Sequence, residues 1–285
     1  MMADLPRDNP LLSQIRDNPY PIYKQLLAFA PVQWNDVLHA WTLVRYADVV
    51  ATLTDARFSA ERSASEARPK VGARRLTAVR SMLVSDPPDH TRLRALVQKA
   101  FTPRMVEQLR PRIIAIVGEL LDRMAERSGV VDLIGDLAYP LPVVVIAELL
   151  GVPAEDRVKF HAWSGVVAAS LDPLISELVA SQVGDARDAL HAYLRGIIAE
   201  RRREPRADLI SALVAVEEQG DVLSEPELVT MCTLLLIAGH ETTVNLIGNG
   251  MLALLRHPDE LARLRADSSL ITSAVEELLR FDSPV

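Results

Sequence analysis

Residues 224–257 read SEPELVTMCTLLLIAGHETTVNLIGNGMLALLRH, and the fold turns on how this stretch is understood. Ser224 followed three residues later by Glu227 has the spacing of a capping box, Pro226 suits a first helical turn, and Pro258 marks the far end. The spacing predicts one helix, roughly 48 Å long at about 1.5 Å per residue. Leu228, Val229, Met231, Cys232, Leu234, Leu235, Leu236 and Ile237 leave no wet face before Ala238. Leu246, Ile247, Met251, Leu252, Leu254 and Leu255 repeat the pattern beyond it. A helix apolar on all sides belongs inside a protein or a membrane. A membrane span needs about 18 uncharged apolar residues, and the polar knot Gly239-His240-Glu241-Thr242-Thr243 interrupts the run too early. The stretch reads as a core helix.

A carboxylate and two hydroxyls in such a helix must find partners, because burying an unpaired ionised group is costly. Glu241 and Thr242 are therefore candidate functional residues. Leu235, Ala238, Gly239, Thr242 and Leu246 share one face. Small residues at 238 and 239 leave room for a flat ligand to approach the backbone beside the Thr242 hydroxyl. The competing local reading is a Thr242 hydroxyl bonded back to the carbonyl of Ala238, with Glu241 paired elsewhere in the core. His240 does not open a zinc-protease motif, since HExxH needs a histidine where this chain has Val244.

Outward from this helix the pattern stays helical. Asp86-Pro87-Pro88-Asp89 starts a helix that carries His90, Arg92, Arg94 and Lys99. His90 and Arg94, four apart, project from one face and suit a ligand with paired carboxylates, although a solvated basic face is the plainer account. Thr102-Pro103 caps a helix running through Pro111, a predicted kink, to about Arg127. An apolar helix over 139–150 is closed by Gly151. Further helices are predicted at about 154–169, 175–203, 208–219, 259–265 and 271–281. The last holds Glu277 and Arg280 three apart, as in ordinary helical ion pairs. Arg201-Arg202-Arg203 reads as a solvated helix end.

Towards the N-terminus, Asn18-Pro19-Tyr20-Pro21 opens a short helix through Leu27. Val32 and Trp34, then Trp41 and Leu43, alternate around Asn35-Asp36, predicting a small antiparallel hairpin, and a helix follows over 47–53. Residues 59–80 read as a long loop. The fold class is mainly α with a small β-sheet, in one domain over 1–285.

The 285 residues are 49% hydrophobic and 24% charged, an ordered globular composition. A net charge of −7 argues against nucleic acid as a partner. One cysteine allows no internal disulfide and fits a reducing cytoplasm. The first residues, MMADLPRD, have no signal-peptide core. The expectation is a cytoplasmic protein without a membrane anchor.

Three motifs in this order, DHTRLR at 89–94, AGHETT at 238–243 and EELLR at 276–280, resemble the cytochrome P450 family of the soluble bacterial type. NPYPIYKQLL and WTLVRYADVVATLTDARFS look like that family's first helix, sheet and second helix, so the resemblance covers essentially the whole chain. It implies a haem-thiolate monooxygenase with haem b (iron protoporphyrin IX), a small hydrophobic substrate, dioxygen and a ferredoxin-like electron donor. By resemblance, His90 and Arg94 contact the haem propionates, and Ala238 and Gly239 lie against the distal face of the porphyrin. Thr242 hydrogen-bonds dioxygen or a water beside it, Glu241 relays protons from solvent, and Glu277 with Arg280 forms a structural ion pair. Substrate is shaped by residues 59–83, 162–184 and 235–242.

The sequence departs from that pattern in one respect. The family holds iron through a cysteine in a loop well after the EELLR helix, and the chain reaches Val285 without it. Its single cysteine, Cys232, precedes Thr242 by ten residues, about 15 Å along the same helix, and reads as a small buried apolar residue. The expectation is an incomplete, truncated P450-like domain with its C-terminal part missing, which by itself forms no thiolate-bound haem centre and binds haem weakly. The alternative is a non-catalytic helical protein that binds a hydrophobic ligand or partner without haem.

Overall fold

The computed structural model describes residues 18–36, 40–61, 81–168, 177–218 and 223–284. The chain divides into two compact units, Met1–Ala73 and Arg74–Val285.

The first unit holds helix α1 (Tyr20–Phe29), strands β1 (Val32–Asn35) and β2 (Ala40–Leu43), and helix α2 (Tyr46–Thr54). The alternation of apolar residues does produce a hairpin. β1 and β2 pair antiparallel with Val32 opposite Leu43 and Trp34 opposite Trp41. The two indole rings meet edge to face at 5.7 Å, the kind of cross-strand pair that pins register.

The second unit begins with a 3-10 turn (Met82–Val84), then α3 (Asp89–Ala100), α4 (Pro103–Ala125), a π-helical segment (Ile134–Ala138) and α5 (Pro140–Leu150). After another 3-10 turn (Ala154–Asp156) come α6 (Arg157–Ala168), α7 (Glu177–Arg203) and α8 (Leu209–Glu218). α9 (Glu225–Arg256), α10 (Pro258–Ala266), a 3-10 turn (Ser268–Leu270) and α11 (Ile271–Phe281) complete the order. The start signals act as the sequence implies. The Thr102 hydroxyl accepts from the Met105 amide at 3.3 Å, and Glu227 reaches back to the Ser224 amide at 2.8 Å. Glu227 also takes the Arg92 guanidinium, so one carboxylate fastens the first turn of α9 to α3. Pro111 lies inside α4, which continues as one helix to Ala125.

α9 packs against α5, α6, α7 and α8. Its buried residues are concentrated in the first half, where Leu228, Val229, Met231, Cys232 and Leu236 join a core with Leu93 and Leu96 of α3, Phe160 of α6, Leu190 and Leu194 of α7 and Leu213 of α8. The expectation of burial along the whole helix holds only there. The second half is met by the π-helical segment, α10 and α11, and Leu255 stays 63% exposed.

The arginine run at the end of α7 also differs from its solvated reading. Arg203 is exposed, but Arg201 is only 2% exposed. Its guanidinium donates to Asp208 and, at 2.8 Å, to the Gly151 carbonyl. Gly151 ends α5 in the left-handed conformation (φ 78°), and a Cβ there would stand 2.2 Å from Asp208 Oδ2. The run thus begins with a buried fork that ties α5 to the α7–α8 connection. A charge-only reading of the sequence could not separate Arg201 from its neighbours.

Gly151→Ala is expected to lower unfolding free energy by at least about 1–2 kcal/mol, from left-handed strain and from the displaced Asp208. Gly196→Ala, in a helix where an added Cβ meets nothing within 4 Å, is expected to gain up to about 1 kcal/mol. Denaturant unfolding of the two variants checks both signs.

Candidate functional site

The rotation of α9 decides what the polar knot can do. Burial of Leu228, Met231, Cys232 and Leu236 fixes which side faces the core. Ala238 is consequently exposed, and Thr242 is partly exposed one turn later. The Thr242 hydroxyl donates to the Ala238 carbonyl at 2.9 Å, as the local reading of the sequence foresaw, and Thr243 does the same to Gly239 at 3.3 Å. A hydroxyl that donates backwards keeps its oxygen lone pairs outward. It can accept from a ligand while its own proton rests on a carbonyl.

Gly239 faces another way from Ala238. A Cβ at Gly239 would stand 3.0 Å from Ile146 Cδ1 of α5. Of the two small residues, Ala238 therefore opens to the free face, while Gly239 allows α5 and α9 to approach closely. Periodicity puts both on one broad stripe; only the neighbouring helix separates them.

Glu241 stands beside the open face with its side chain 43% exposed. Its Oε2 lies 3.5 Å from Nε2 of the fully buried His240. Tyr139 closes on the same imidazole, ring to ring at 6.2 Å. Burial pushes the Tyr139 phenol up, and the charge of Glu241 adds to the effect. His240 and Tyr139 are the residues that sequence reasoning missed. The available signal was an imidazole inside a helix apolar on every side.

On α3, Leu93, Leu96, Val97 and Ala100 point into the core, which leaves His90 half-buried and Arg94 exposed. Arg92 between them is held by Glu227. Among the described residues neither the His90 nor the Arg94 side chain has a hydrogen-bond or ion-pair partner. An imidazole and a guanidinium one turn apart, both able to donate hydrogen bonds, suit an anion with two carboxylates. No hydrogen bond or ion pair among the described residues joins this pair to the Ala238–Thr242 face. On α11, Arg280 grips Glu277 with two hydrogen bonds of 2.7 and 2.6 Å and holds its carboxyl below the usual range. Both side chains are exposed, as befits a surface pair. Of the stretches expected to shape a substrate pocket, residues 62–80 and 169–176 lie outside the described residues.

Residues 41–278 match the family model for cytochrome P450. The chain belongs to the cytochrome P450 family. It is 48% identical over 271 residues to vitamin D(3) 25-hydroxylase of Pseudonocardia autotrophica, covering 94% of this chain and 65% of that protein. It is 45% identical over 274 residues to cytochrome P450 monooxygenase PikC of Streptomyces venezuelae, covering 94% and 64%. Among solved structures it superposes on P450BioI, in complex with an acyl carrier protein ligated to hexadec-9Z-enoic acid, with a TM-score of 0.86 at 39% identity. That superposition covers 95% of this chain and 70% of the other. The two relatives are thus matched over a little under two thirds of their own length. The mainly helical fold with a small sheet is that of a P450.

The family implies a haem cofactor, and the residues present fit part of such a site. The open Ala238–Thr242 face offers a backbone that a flat ring can approach, and His90 and Arg94, without partners among the described residues, offer hydrogen-bond donors for its carboxylates. Cys232 does not fit the role of iron ligand. It is fully buried in the core, and burial pushes its thiol up to about 12, whereas a ligand must be a thiolate. Among the described residues no group of three or more His, Cys, Asp or Glu is placed to hold a metal. No described helix is long and apolar enough to cross a membrane.

Two outcomes follow from this geometry. Cys232 in the folded chain is expected to react with iodoacetamide at pH 8 at least about a hundredfold more slowly than in the denatured chain, as followed by mass spectrometry. Gly239→Ala is expected to destabilise by about 1–3 kcal/mol through overpacking on Ile146. Ile146→Val, which removes the clashing Cδ1, is expected to recover part of that loss in a double-mutant cycle.

Proposed function

We propose that this P450 chain forms the oxygen-handling portion of a haem-thiolate monooxygenase that inserts one atom of dioxygen into a small hydrophobic substrate. The observation that carries the reading is the open face where the Thr242 hydroxyl, its proton parked on the Ala238 carbonyl, stands next to the solvent-reaching Glu241. Haem b, when bound, supplies the activation of dioxygen and the electron storage that no amino-acid side chain provides.

The chain's own residues then have separate tasks. His90 and Arg94 hold the propionates by charge-assisted hydrogen bonds. Ala238 keeps the helix surface low enough for the ring, and Gly239 serves it at one remove by letting α5 press against α9. Thr242 donates a hydrogen bond to dioxygen, or exchanges one with a water beside it. Glu241 passes protons from solvent to that hydroxyl's neighbourhood. Glu277 and Arg280 brace α11 as an ion pair within the helix and take no part in proton transfer. Electrons come from a ferredoxin-like donor, and residues 1–285 belong to one domain.

A second reading has one observation in its favour. The single cysteine is locked in the core, which suits a helical protein that binds an apolar ligand without haem.

A haem-loaded protein that contains this chain together with a thiolate ligand, supplied with electrons under ¹⁸O₂, is expected to place one ¹⁸O atom in its product. Thr242→Ala is expected to lower product formed per dioxygen consumed several-fold while substrate binding stays unchanged. A preparation without any haem chromophore that still binds apolar ligands would establish the second reading instead.

A further inference from the structure

His240 is fully buried, yet among the described residues its Nε2 has no hydrogen-bond partner. Its Nδ1 lies 3.3 Å from the Leu236 carbonyl oxygen. A carbonyl oxygen only accepts, so Nδ1 carries a proton. In a neutral imidazole that choice leaves Nε2 as a bare acceptor. Glu241 Oε2 stands 3.5 Å from it, slightly beyond ordinary hydrogen-bond length. Two acceptors facing each other at the wall of a core repel. One proton between them replaces repulsion with a charge-assisted hydrogen bond, whichever atom formally owns it.

We propose that His240 and Glu241 share one proton, and that His240 is thereby a positioning residue holding the Glu241 carboxyl beside Thr242. The Leu236 carbonyl sets the tautomer, the tautomer turns Nε2 toward Glu241, and the carboxyl has two settings. Turned inward it rests its proton on the imidazole; turned outward it meets solvent and the open face. For its catalytic meaning the inference rests on the function proposed above, since it supplies the inner end of the route by which Glu241 moves protons.

The test is ¹⁵N NMR of the haem-free 285-residue chain labelled at its six histidines, with the His240 ring assigned through His240→Gln or by sequential assignment if that variant does not fold. Nδ1 is expected to be protonated, and Nε2 to resonate as a hydrogen-bonded or protonated nitrogen. Glu241→Ala, which truncates a side chain 43% exposed and leaves the core intact, is expected to move Nε2 to the position of a bare lone pair. Glu241→Gln, whose amide can donate, is expected to bring it back. A bare Nε2 in the unsubstituted chain, or one that does not move in Glu241→Ala, overturns the proposal. The two readings fail separately. A shared proton in a protein that never takes up haem removes the monooxygenase and keeps the pair, and a bare Nε2 in a haem-loaded protein does the reverse.

Discussion

The rotation of α9 about its own axis is the constraint from which the candidate site follows. Leu228, Val229, Met231, Cys232 and Leu236 are buried among α3, α6, α7 and α8. Each buried leucine-sized side chain contributes on the order of 1.5–3 kcal/mol relative to exposure. Turning the helix by even one residue would bring several of them to the surface. With that phase fixed, Ala238 and Thr242 have to emerge on the free side and His240 has to be buried. The polar knot is therefore held by apolar packing one and two turns earlier, and its own hydrogen bonds only trim the result.

Much of the fold was legible in the sequence because it rests on local chemistry. The capping box at Ser224 and Glu227, the Thr102-Pro103 cap, the Gly151 stop and the alternation across Trp34 and Trp41 each specify an element through contacts a few residues apart. The phase of α9 was not legible. A helix apolar on all sides has no preferred direction in its own pattern, so Ala238 and Gly239 looked equivalent until Ile146 took one of them. The burial of His240 has the same origin. Arg201 illustrates the converse. In the sequence it is one of three identical charges, and what distinguishes it is an acceptor 50 residues away on α5.

The electrostatic organisation of the second unit is economical. Arg201 answers Asp208 and the exposed end of α5, Arg92 answers Glu227, and Arg112 answers Glu148 and Glu119. In the first of these the planar arginine fork reaches both Asp208 and the Gly151 carbonyl, where a lysine would offer a single point of charge. Among the described residues, Arg92 is held by Glu227, while its neighbours His90 and Arg94 have no hydrogen-bond or ion-pair partner.

Glu227 has a wider reach than a cap. It closes the first turn of α9 and at the same time grips Arg92, which sits between His90 and Arg94. The helix that carries His90 and Arg94 is thus tied by one ion pair to the opening turn of α9, while it packs on α8 and the 3-10 turn before it. Fraying at Ser224 would loosen the carboxylate that holds Arg92, which lies between His90 and Arg94. A change in the first turn of α9 is thus felt by a side chain 135 residues earlier in the sequence.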